Sequence, residues 1–287
     1  MGTPDFIGIG MERAGSSWLF YMLAAHPQIW VPPIKELHYF EDPGSNKWRY
    51  GPHLKSRALA KLAPFFKTPE GRPQYFKNTY AEYLAWDARY FLGAHSDEWY
   101  ASLFDKKFTK GRICGEVTAA YAAMNEERIA ALMKEHKSTK IILSLRDPVE
   151  RTLSAMFHDF RSLRRLKPDQ ITESMMLEWL RDRARKTPPA NREILARWQK
   201  YAGAKNLIVI DFSDIAKNPE KLVSGLYTAL GIDASFRPPP EKLHEKIFSF
   251  RDDAPAVPPS VLAAAQEFFA QPEGENDLTV SPRAKKS

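Results

Sequence analysis

Residues 6–19 read F-I-G-I-G-M-E-R-A-G-S-S-W-L, a short apolar run followed by a glycine-bearing loop and the start of a helix. A loop of this kind points backbone N–H groups and the positive end of a helix dipole at one place, which suits a phosphate. Gly10 to Ser17 follow the G-x-x-x-x-G-K-[ST] spacing of a nucleotide P-loop, except that Ser16 stands in place of the lysine. Because that lysine reaches the β- and γ-phosphates in NTPases, the pattern predicts a phosphate site that does not hydrolyse ATP or GTP.

A second candidate phosphate site follows the apolar run K-I-I-L-S-L, where Arg146 comes directly after the strand and Ser154 lies eight residues further on. The carboxyl edge of strands is where open α/β sheets bind ligands. An arginine there can grip a phosphate with two hydrogen bonds, and the Ser154 hydroxyl can donate a third from the next helix. The alternative is a surface ion pair of Arg146 with Asp147 or Glu150, with Ser154 as an ordinary helix residue. Arg151 either serves the same phosphate or is exposed.

Apolar runs that favour strands alternate along the chain with helical periodicity, which is typical of an α/β fold. The predicted strands are residues 5–9, 112–117, 140–145 and 207–211. The predicted helices are residues 16–25, 79–88, 125–136, 171–186 and 191–202, with two more that begin at Pro148 and Pro219. Because strands of this kind carry helices on both faces, we expect a central, mostly parallel sheet flanked by helices, with a P-loop-like nucleotide-binding core.

Several residues mark where these elements begin and end. Asn125 is a predicted N-cap, Asp147 and Pro148 open a helix, and Gly231 ends one. Residues 41–78 are rich in Pro, Gly, Lys and aromatic side chains and are predicted to be irregular, and the polar tail from about 271 to 287 is predicted to fray. We found no repeat and no clear linker, so we expect one domain over residues 1–287.

The composition narrows the class of ligand. Lys and Arg outnumber Asp and Glu by 42 to 35, and the net charge of +7 suits an anionic ligand or substrate. The single cysteine, Cys114, excludes an internal disulfide and a Cys-rich metal site. The seven histidines have no ligand spacing, so we expect no metal.

We recognise no targeting signal in the sequence. The first strand begins by about residue 6, which leaves no room for a signal peptide, and no run approaches the roughly 18 apolar residues of a transmembrane helix. Phe6 stands where a myristoylation signal requires Ser or Thr. We therefore expect a cytoplasmic protein that needs neither a membrane nor a nucleic acid as partner; its oligomeric state stays open.

Three separated segments together resemble the PAPS-dependent sulfotransferases, which move a sulfuryl group from 3′-phosphoadenosine 5′-phosphosulfate (PAPS) to an acceptor and release PAP. R-A-G-S-S-W-L (Arg13–Leu19) is similar to the family's 5′-phosphosulfate loop, K-x-G-T-T-x-L. I-I-L-S-L-R-D-P-V-E-R-T-L-S (Ile141–Ser154) is similar to its 3′-phosphate motif, a strand followed by R-x-P-x-x-R-x-x-S. P-P-I-K-E-L-H-Y-F-E (Pro32–Glu41) resembles the K-E-x-H-x-F segment of the Golgi-type and bacterial branch. The order and spacing of these segments make the resemblance fairly specific over about residues 5–232.

The resemblance implies where PAPS would bind. The N–H groups of residues 14–17 and the two hydroxyls would surround the 5′-phosphate, and Arg13, in place of the family lysine, would reach the bridging oxygen on which charge grows. The alternative for Arg13 is a solvated loop residue. Trp18 would stack on adenine by family analogy, or else is a core tryptophan. The full set of implied PAPS-binding residues is Arg13, Ala14, Gly15, Ser16, Ser17, Trp18, Arg146 and Ser154.

The resemblance places the catalytic base at Glu36, because transfer to a hydroxyl needs a group that takes the acceptor proton. His38 is the competing base, and in an extended segment the two side chains would face the same side as a pair. Lys35 would touch the sulfonate or the bridging oxygen and compensate for the missing loop lysine. The alternative is an aromatic-packed loop in which Glu36 merely pairs with Lys35.

Acceptor contacts are predicted at fewer positions. The resemblance puts Glu41 near the acceptor. G-E-V-T-A-A-Y (Gly115–Tyr121) is close to the G-E-x-[ST]-P-x-Y motif of the same branch but lacks its proline, so Thr118 and Tyr121 are weak substrate candidates. Eight Lys and Arg between 161 and 186 form either an acceptor-side patch or a solvated helix face, and Lys246–Arg251 would close over the nucleotide.

Taken together, the sequence predicts a PAPS-dependent sulfotransferase that modifies a hydroxyl of a carbohydrate or small alcohol without a metal. One alternative is a P-loop kinase for a small metabolite, although it lacks the lysine at position 16 and recognisable Mg²⁺ ligands. The other is a non-catalytic nucleotide- or polyanion-binding protein, which would explain the basic charge without turnover.

Overall fold

The computed structural model of the chain describes residues 2–41, 80–93, 95–184, 191–244 and 255–269. Three predictions therefore fall wholly or almost wholly outside the described residues: the irregular stretch that follows residue 41, the closing segment Lys246–Arg251 and the polar tail from 271.

The described part of the chain forms one five-stranded sheet in which every pair of neighbours is parallel and the order is β2-β3-β1-β4-β5. The strands are β1 (Phe6–Gly10), β2 (Ile29–Trp30), β3 (Ile113–Val117), β4 (Lys140–Leu145) and β5 (Leu207–Asp211). The predicted α/β class and parallel sheet are confirmed. The strand that sequence reasoning missed is β2, which has two residues and therefore no detectable pattern.

Helices cover both faces of this sheet in the described ranges. They are α1 (Ser16–Ala25), α2 (Tyr80–Leu92), α3 (Asp97–Ser102), α4 (Lys106–Thr109), α5 (Glu126–Glu135), α6 (Pro148–His158), α7 (Glu173–Ala184), α8 (Asn191–Asn206), α9 (Phe212–Lys217), α10 (Pro219–Leu230), α11 (Pro240–Leu243) and α12 (Pro259–Phe269). A 3₁₀ turn spans Ala119–Ala123, another spans Pro168–Gln170, and one turn of π-helix extends α6 over Asp159–Leu163.

The central strands are mostly apolar because both of their faces are covered. All five residues of β1 are buried, and its alternate side chains enter different cores. Ile7 and Ile9 pack with Trp198 of α8, whereas Phe6 packs with Trp18 of α1. This two-sided burial explains why the strands read as continuous hydrophobic runs and not as alternating ones.

The predicted helix ends are confirmed by their hydrogen bonds. The Asn125 side chain accepts from the N–H of Arg128 at 3.0 Å, and the Asp147 side chain accepts from the N–H of Glu150 at 2.8 Å. Gly231 ends α10 in the left-handed conformation, with φ of 73°. These caps satisfy backbone groups that have no partner inside the helix.

The parallel sheet brings the motifs together. Because all strands run in one direction, the segments that follow β1, β2, β3 and β4 leave the sheet at the same edge. These segments are the glycine-bearing loop, the K-E-L-H run, the end of G-E-V-T-A-A-Y and the Arg146 motif. They stand where ligands bind in open α/β sheets.

The helices in the described ranges are short. The longest, α8, has 16 residues and is broken by a non-helical Gly203 with φ of 70°. Within those ranges no helix combines the length and the apolar character that crossing a bilayer requires.

Gly10, at the end of β1, is required by both its conformation and its surroundings. Its φ is +95°, and a Cβ atom there would lie 2.3 Å from the carbonyl oxygen of Ala119. We expect Gly10→Ala to lower the free energy of unfolding by about 3 kcal/mol or more. Urea unfolding measures this loss.

Gly111 offers a matched control for that substitution. Its φ is +77°, but a Cβ atom there would meet nothing within 4 Å. Gly111→Ala should therefore cost only the backbone preference, about 1 kcal/mol. Equal losses in the two variants would show that the contact with Ala119 contributes nothing.

Candidate active site

The turn between β1 and α1 forms the predicted phosphate loop. Gly15 is the N-cap of α1, with φ of 84°, and no side chain caps this helix. This φ favours glycine, and a Cβ atom on Gly15 would in addition lie 2.5 Å from Cδ1 of Ile215. The first N–H groups of a helix have no partner within it, so this end of α1 can receive an anion. The Ala14 amide differs from our expectation, because it donates to the carbonyl of Met11 at 3.2 Å.

The structure brings together the cations of both predicted phosphate motifs. Nε of Arg13 donates to the Ser154 hydroxyl at 3.1 Å, and Nη1 of Arg146 donates to the main-chain carbonyl of Arg13 at 2.9 Å. Arg13 has φ of 62°, a conformation uncommon for a side chain of this size. Arg146 and Ser154, which follow Arg13 by 133 and 141 positions in the sequence, thus form one cluster with it at the edge of the sheet.

Arg146 also makes the ion pair that we gave as its alternative role. Its Nη2 lies 3.2 Å from Oε2 of Glu150, and its guanidinium carbon lies 4.2 Å from the centre of the Phe212 ring. Yet Arg146 is only 8% exposed, whereas the side chain of Glu150 is 48% exposed. The pair therefore fixes a buried guanidinium at the cluster and is not a solvated surface contact.

The cationic cluster is electrostatically crowded. Burial and the nearby charge of Arg146 lower the pKa of Arg13, and burial and Arg183 lower the pKa of Arg151. Arg151 is buried, and among the described residues its Nε has no hydrogen-bond partner. Glu12 offsets part of this repulsion. Buried cations of this kind, one with an unsatisfied N–H, fit a ligand that carries several negative charges.

Lys35 connects the phosphate loop with the K-E-L-H segment. Its Nζ lies 3.2 Å from the hydroxyl of Ser16, the residue that stands where a P-loop has its lysine. The same Nζ lies 2.9 Å from Oε1 of Glu36. An ammonium group from the segment after β2 thus reaches the loop position that lacks one.

Glu36, His38 and Glu41 form a carboxylate–imidazole–carboxylate row. Nε2 of His38 lies 3.2 Å from Oε2 of Glu36, and its Nδ1 lies 2.5 Å from Oε1 of Glu41. The predicted pairing of Glu36 with His38 is therefore present. Within the described ranges no group of three or more His, Cys, Asp or Glu side chains, this row included, is arranged to hold a metal ion.

The backbone of this segment differs from the extended one that we expected. Glu36 has φ of 65° and His38 has φ of 55°, both in the left-handed region. Together with Arg13, they are three of the five non-glycine residues with positive φ in the described part of the chain. Strained backbone is concentrated at functional sites, which supports this assignment.

Each neighbour in the row shifts the pKa of the next group. Burial of Glu36 would raise its pKa, but hydrogen bonding to His38 and the charge of Lys35 outweigh burial and lower it to about 2. Burial of His38 would lower its pKa, but its two carboxylate partners raise it to about 9. The two ion-pair partners of Glu36 thus outweigh the effect of burial on its pKa. At neutral pH an imidazolium therefore lies between carboxylates.

Trp18 and the weak substrate candidates lie in the interior. Trp18 is 3% exposed and donates its indole N–H to the carbonyl of Leu243 at 2.9 Å, as a core tryptophan does. Thr118 and Tyr121 are both 0% exposed. The hydroxyls of these two weak candidates both have protein partners. The partner that sequence reasoning did not single out is Glu116, although it stands in the same quoted motif.

Comparison with known proteins bears on the family of this chain. The model of the family described as "Sulfotransferase family" matches residues 4–236. The membrane-associated sulfotransferase kil1 of Dictyostelium discoideum is 30% identical over 171 residues, which is 60% of this chain. That match covers only 26% of the relative's length.

Solved structures show the same fold. A sulfotransferase from Alicyclobacillus acidocaldarius superposes with a TM-score of 0.60 and 21% identity, over 94% of this chain and 92% of the other. The sulfotransferase domain from the curacin biosynthetic pathway has a TM-score of 0.51 and 16% identity, over 87% and 81% of the two chains. At these identities the likeness concerns the fold.

The row of charges makes stability depend on pH. The pKa of His38 rises from 6.5 to about 9 in the folded state, so its contribution is complete below pH 6.5 and is lost as the pH rises toward 9. We expect the free energy of unfolding to fall by roughly 1–3 kcal/mol across this interval. His38→Gln should abolish this decline in urea unfolding, whereas a His244→Gln control, at an exposed site, should retain it. An unchanged decline in His38→Gln would contradict the charged row.

Proposed function

This chain belongs to the sulfotransferase family, and we propose that it moves the sulfuryl group of PAPS to an acceptor hydroxyl and releases PAP. One observation carries the proposal. A continuous series of contacts runs from Ser16 through Lys35 to Glu36 and His38, and so links an anion-binding loop to a candidate base. The family supports sulfuryl transfer in general; the donor, the acceptor and the residue roles are our proposal.

The cationic cluster supports PAPS as the donor, because it presents two neighbouring sets of anion-binding groups. We assign the 5′ end to the loop from Arg13 to Ser17 and the 3′-phosphate to Arg146 and Ser154. The buried, unsatisfied Nε of Arg151 adds to the demand for negative charge. We give Trp18 no contact with adenine, since it is almost wholly buried.

PAPS supplies the sulfuryl group and, in PAP, the leaving group. The protein's part is to stabilise charge that grows on the leaving oxygen, and preorganised cations do this best. Arg13 is permanently charged and acts by hydrogen bonding. Lys35 takes the position of the missing loop lysine, because its Nζ lies beside Ser16. The two residues thus share a task that one lysine performs in the usual motif.

Glu36 is the better candidate for the base. With a pKa of about 9, His38 is protonated at neutral pH and cannot accept another proton. Glu36 is ionised but weakly basic while Lys35 and His38 hold it. When Lys35 turns toward an anionic ligand, Glu36 loses one partner, its pKa rises and it accepts the acceptor's proton more readily. His38 then acts as the group that orients Glu36.

The resemblance of the K-E-L-H segment to the Golgi-type and bacterial branch favours a carbohydrate or a small alcohol as acceptor. Glu41 faces the same imidazole and is assigned to the acceptor side of the row. A cytoplasmic location and independence from metals stay predictions.

One prediction of this proposal concerns nucleotide binding. PAP at about 100 times its Kd should stabilise the fold by roughly 2.7 kcal/mol, seen as a thermal shift, and AMP should not reproduce it because it lacks the 3′-phosphate. Arg146→Gln should reduce the PAP shift toward that of AMP, whereas Arg237→Gln, at an exposed position, should leave it unchanged. A shift seen only with ATP and Mg²⁺ would favour the kinase alternative.

Another prediction of this proposal concerns Glu36 as the catalytic base. Glu36→Gln keeps the size of the side chain but cannot accept the proton, so transfer from radiolabelled PAPS to a panel of sugars and alcohols should fall by about 100-fold or more. PAP binding should persist, and an exposed Glu127→Gln control should transfer at the wild-type rate. Undiminished transfer in Glu36→Gln would remove Glu36 as the base. PAP binding by a wild type that transfers to no acceptor would favour the non-catalytic alternative.

A further inference from the structure

We infer that Glu116 is a positioning residue, which holds the segment Lys35–Glu41, here called the catalytic segment, in place through the hydroxyls of Thr118 and Tyr121. The inference rests on the proposed function, since it concerns the geometry of Glu36 and His38. Glu116 touches neither residue in the described contacts; it acts through two hydroxyls that bind the backbone between and beside them.

Glu116 is a buried carboxylate at the centre of three hydroxyl groups. It is 1% exposed and lies on β3, paired in register with Ile7 of β1. Its Oε1 accepts from the hydroxyls of Tyr100 at 2.8 Å and Tyr121 at 3.2 Å, and its Oε2 accepts from Thr118 at 2.6 Å. A buried carboxylate is costly unless donors surround it in this way.

Two of these hydroxyls also bind the backbone of the catalytic segment. The Thr118 hydroxyl accepts the N–H of Leu37 at 3.0 Å. The Tyr121 hydroxyl accepts the N–H of Tyr39 at 2.7 Å. The residues on both sides of His38 are thus fixed by their backbone.

The carboxylate determines the direction of these hydrogen bonds. Glu116 accepts from the hydroxyls of Thr118 and Tyr121, so each hydroxyl gives its one hydrogen to the carboxyl group and turns a lone pair to the backbone N–H. A neutral group able to donate in place of Glu116 would compete with those N–H groups. The network therefore requires an acceptor at this position and does more than fill space.

The catalytic segment needs such an anchor because its backbone is strained. Glu36 and His38 have positive φ, a conformation that persists only where the surroundings impose it. Stacking reinforces the anchor, since the rings of Tyr39 and Tyr100 lie 4.5 Å apart at 13°. Release of the Leu37 and Tyr39 amides should let the segment relax and should separate His38 from its carboxylate partners.

Tyr100 provides a matched control. Its hydroxyl binds the same Oε1 of Glu116 and is buried like that of Tyr121, but no described hydrogen bond joins it to the catalytic segment. A purely structural role for the network predicts similar effects of Tyr100→Phe and Tyr121→Phe. A positioning role predicts that only Tyr121→Phe disturbs His38.

The test is an NMR titration of the His38 imidazole in the wild type and both variants, with the resonance assigned by its loss in His38→Gln. The groups that face this imidazole are Glu36 and Glu41, with Lys35 beyond Glu36. We expect the His38 pKa to be about 9 in the wild type and in Tyr100→Phe, and to fall toward 6.5 in Tyr121→Phe. Equal values in the two variants would overturn the inference.

Two additions keep the test decisive. Should Tyr121→Phe not fold, Thr118→Val removes the other hydroxyl at nearly constant volume and should produce the same fall in the His38 pKa; an unchanged value there would equally overturn the inference. In kinetic assays Tyr121→Phe should lower kcat by about 10- to 100-fold, with the Kd for PAP changed by less than about twofold. A wild type that binds no PAP would contradict the proposed function, while the titration would still decide the positioning role.

Discussion

Parallel pairing of β1 with both β3 and β4 determines where the candidate groups in the described part of the chain lie. Because the strands share one direction, the segments that follow them leave the sheet at one edge. There Arg13 binds Ser154, Arg146 binds the carbonyl of Arg13, and Lys35 binds Ser16. The short β2 is part of the same constraint, since its pairing with β3 delivers the K-E-L-H segment to that edge. An antiparallel neighbour would have sent one of these segments to the opposite end of the sheet.

Two kinds of charge meet at this edge, and their arrangement decides the chemistry. The guanidinium groups of Arg13 and Arg146 repel one another, so a bound anion would stabilise both. Glu36, His38 and Glu41 compensate one another instead, which makes the row stable but weakly basic. Lys35 stands between the two sets and contacts both. A ligand that draws Lys35 toward the loop would therefore increase the basicity of Glu36 at the moment when a base is needed.

Much of the fold could be predicted from the sequence, because long apolar runs and capping residues act locally. β4 and the caps at Asn125 and Gly231 were found in this way. The two-residue β2 carries no period and was missed. For the site, residue types indicated which groups are candidates to bind an anion, and the structure brings Arg13, Arg146 and Ser154 together. The left-handed backbone at Glu36, however, follows from tertiary contacts that no local pattern encodes. The role of Glu116 was hidden for a related reason: Thr118 and Tyr121 stand in its own motif, but Tyr100 and the Leu37 and Tyr39 amides that the two hydroxyls bind come from other parts of the sequence.

The positive φ values at Glu36 and His38 also bear on how this sequence can drift. Most amino acids avoid the left-handed region, whereas glycine adopts it freely and asparagine, aspartate and histidine adopt it more often than other residues. A replacement at either position by another residue that avoids this region therefore keeps the backbone strain that is already present. Glycine there would even relieve strain, so a copy of this protein released from selection for activity should accumulate glycine or asparagine at these two positions before other residues. The residue types found at positions 36 and 38 would thus indicate whether selection still acts on the side chains of this segment.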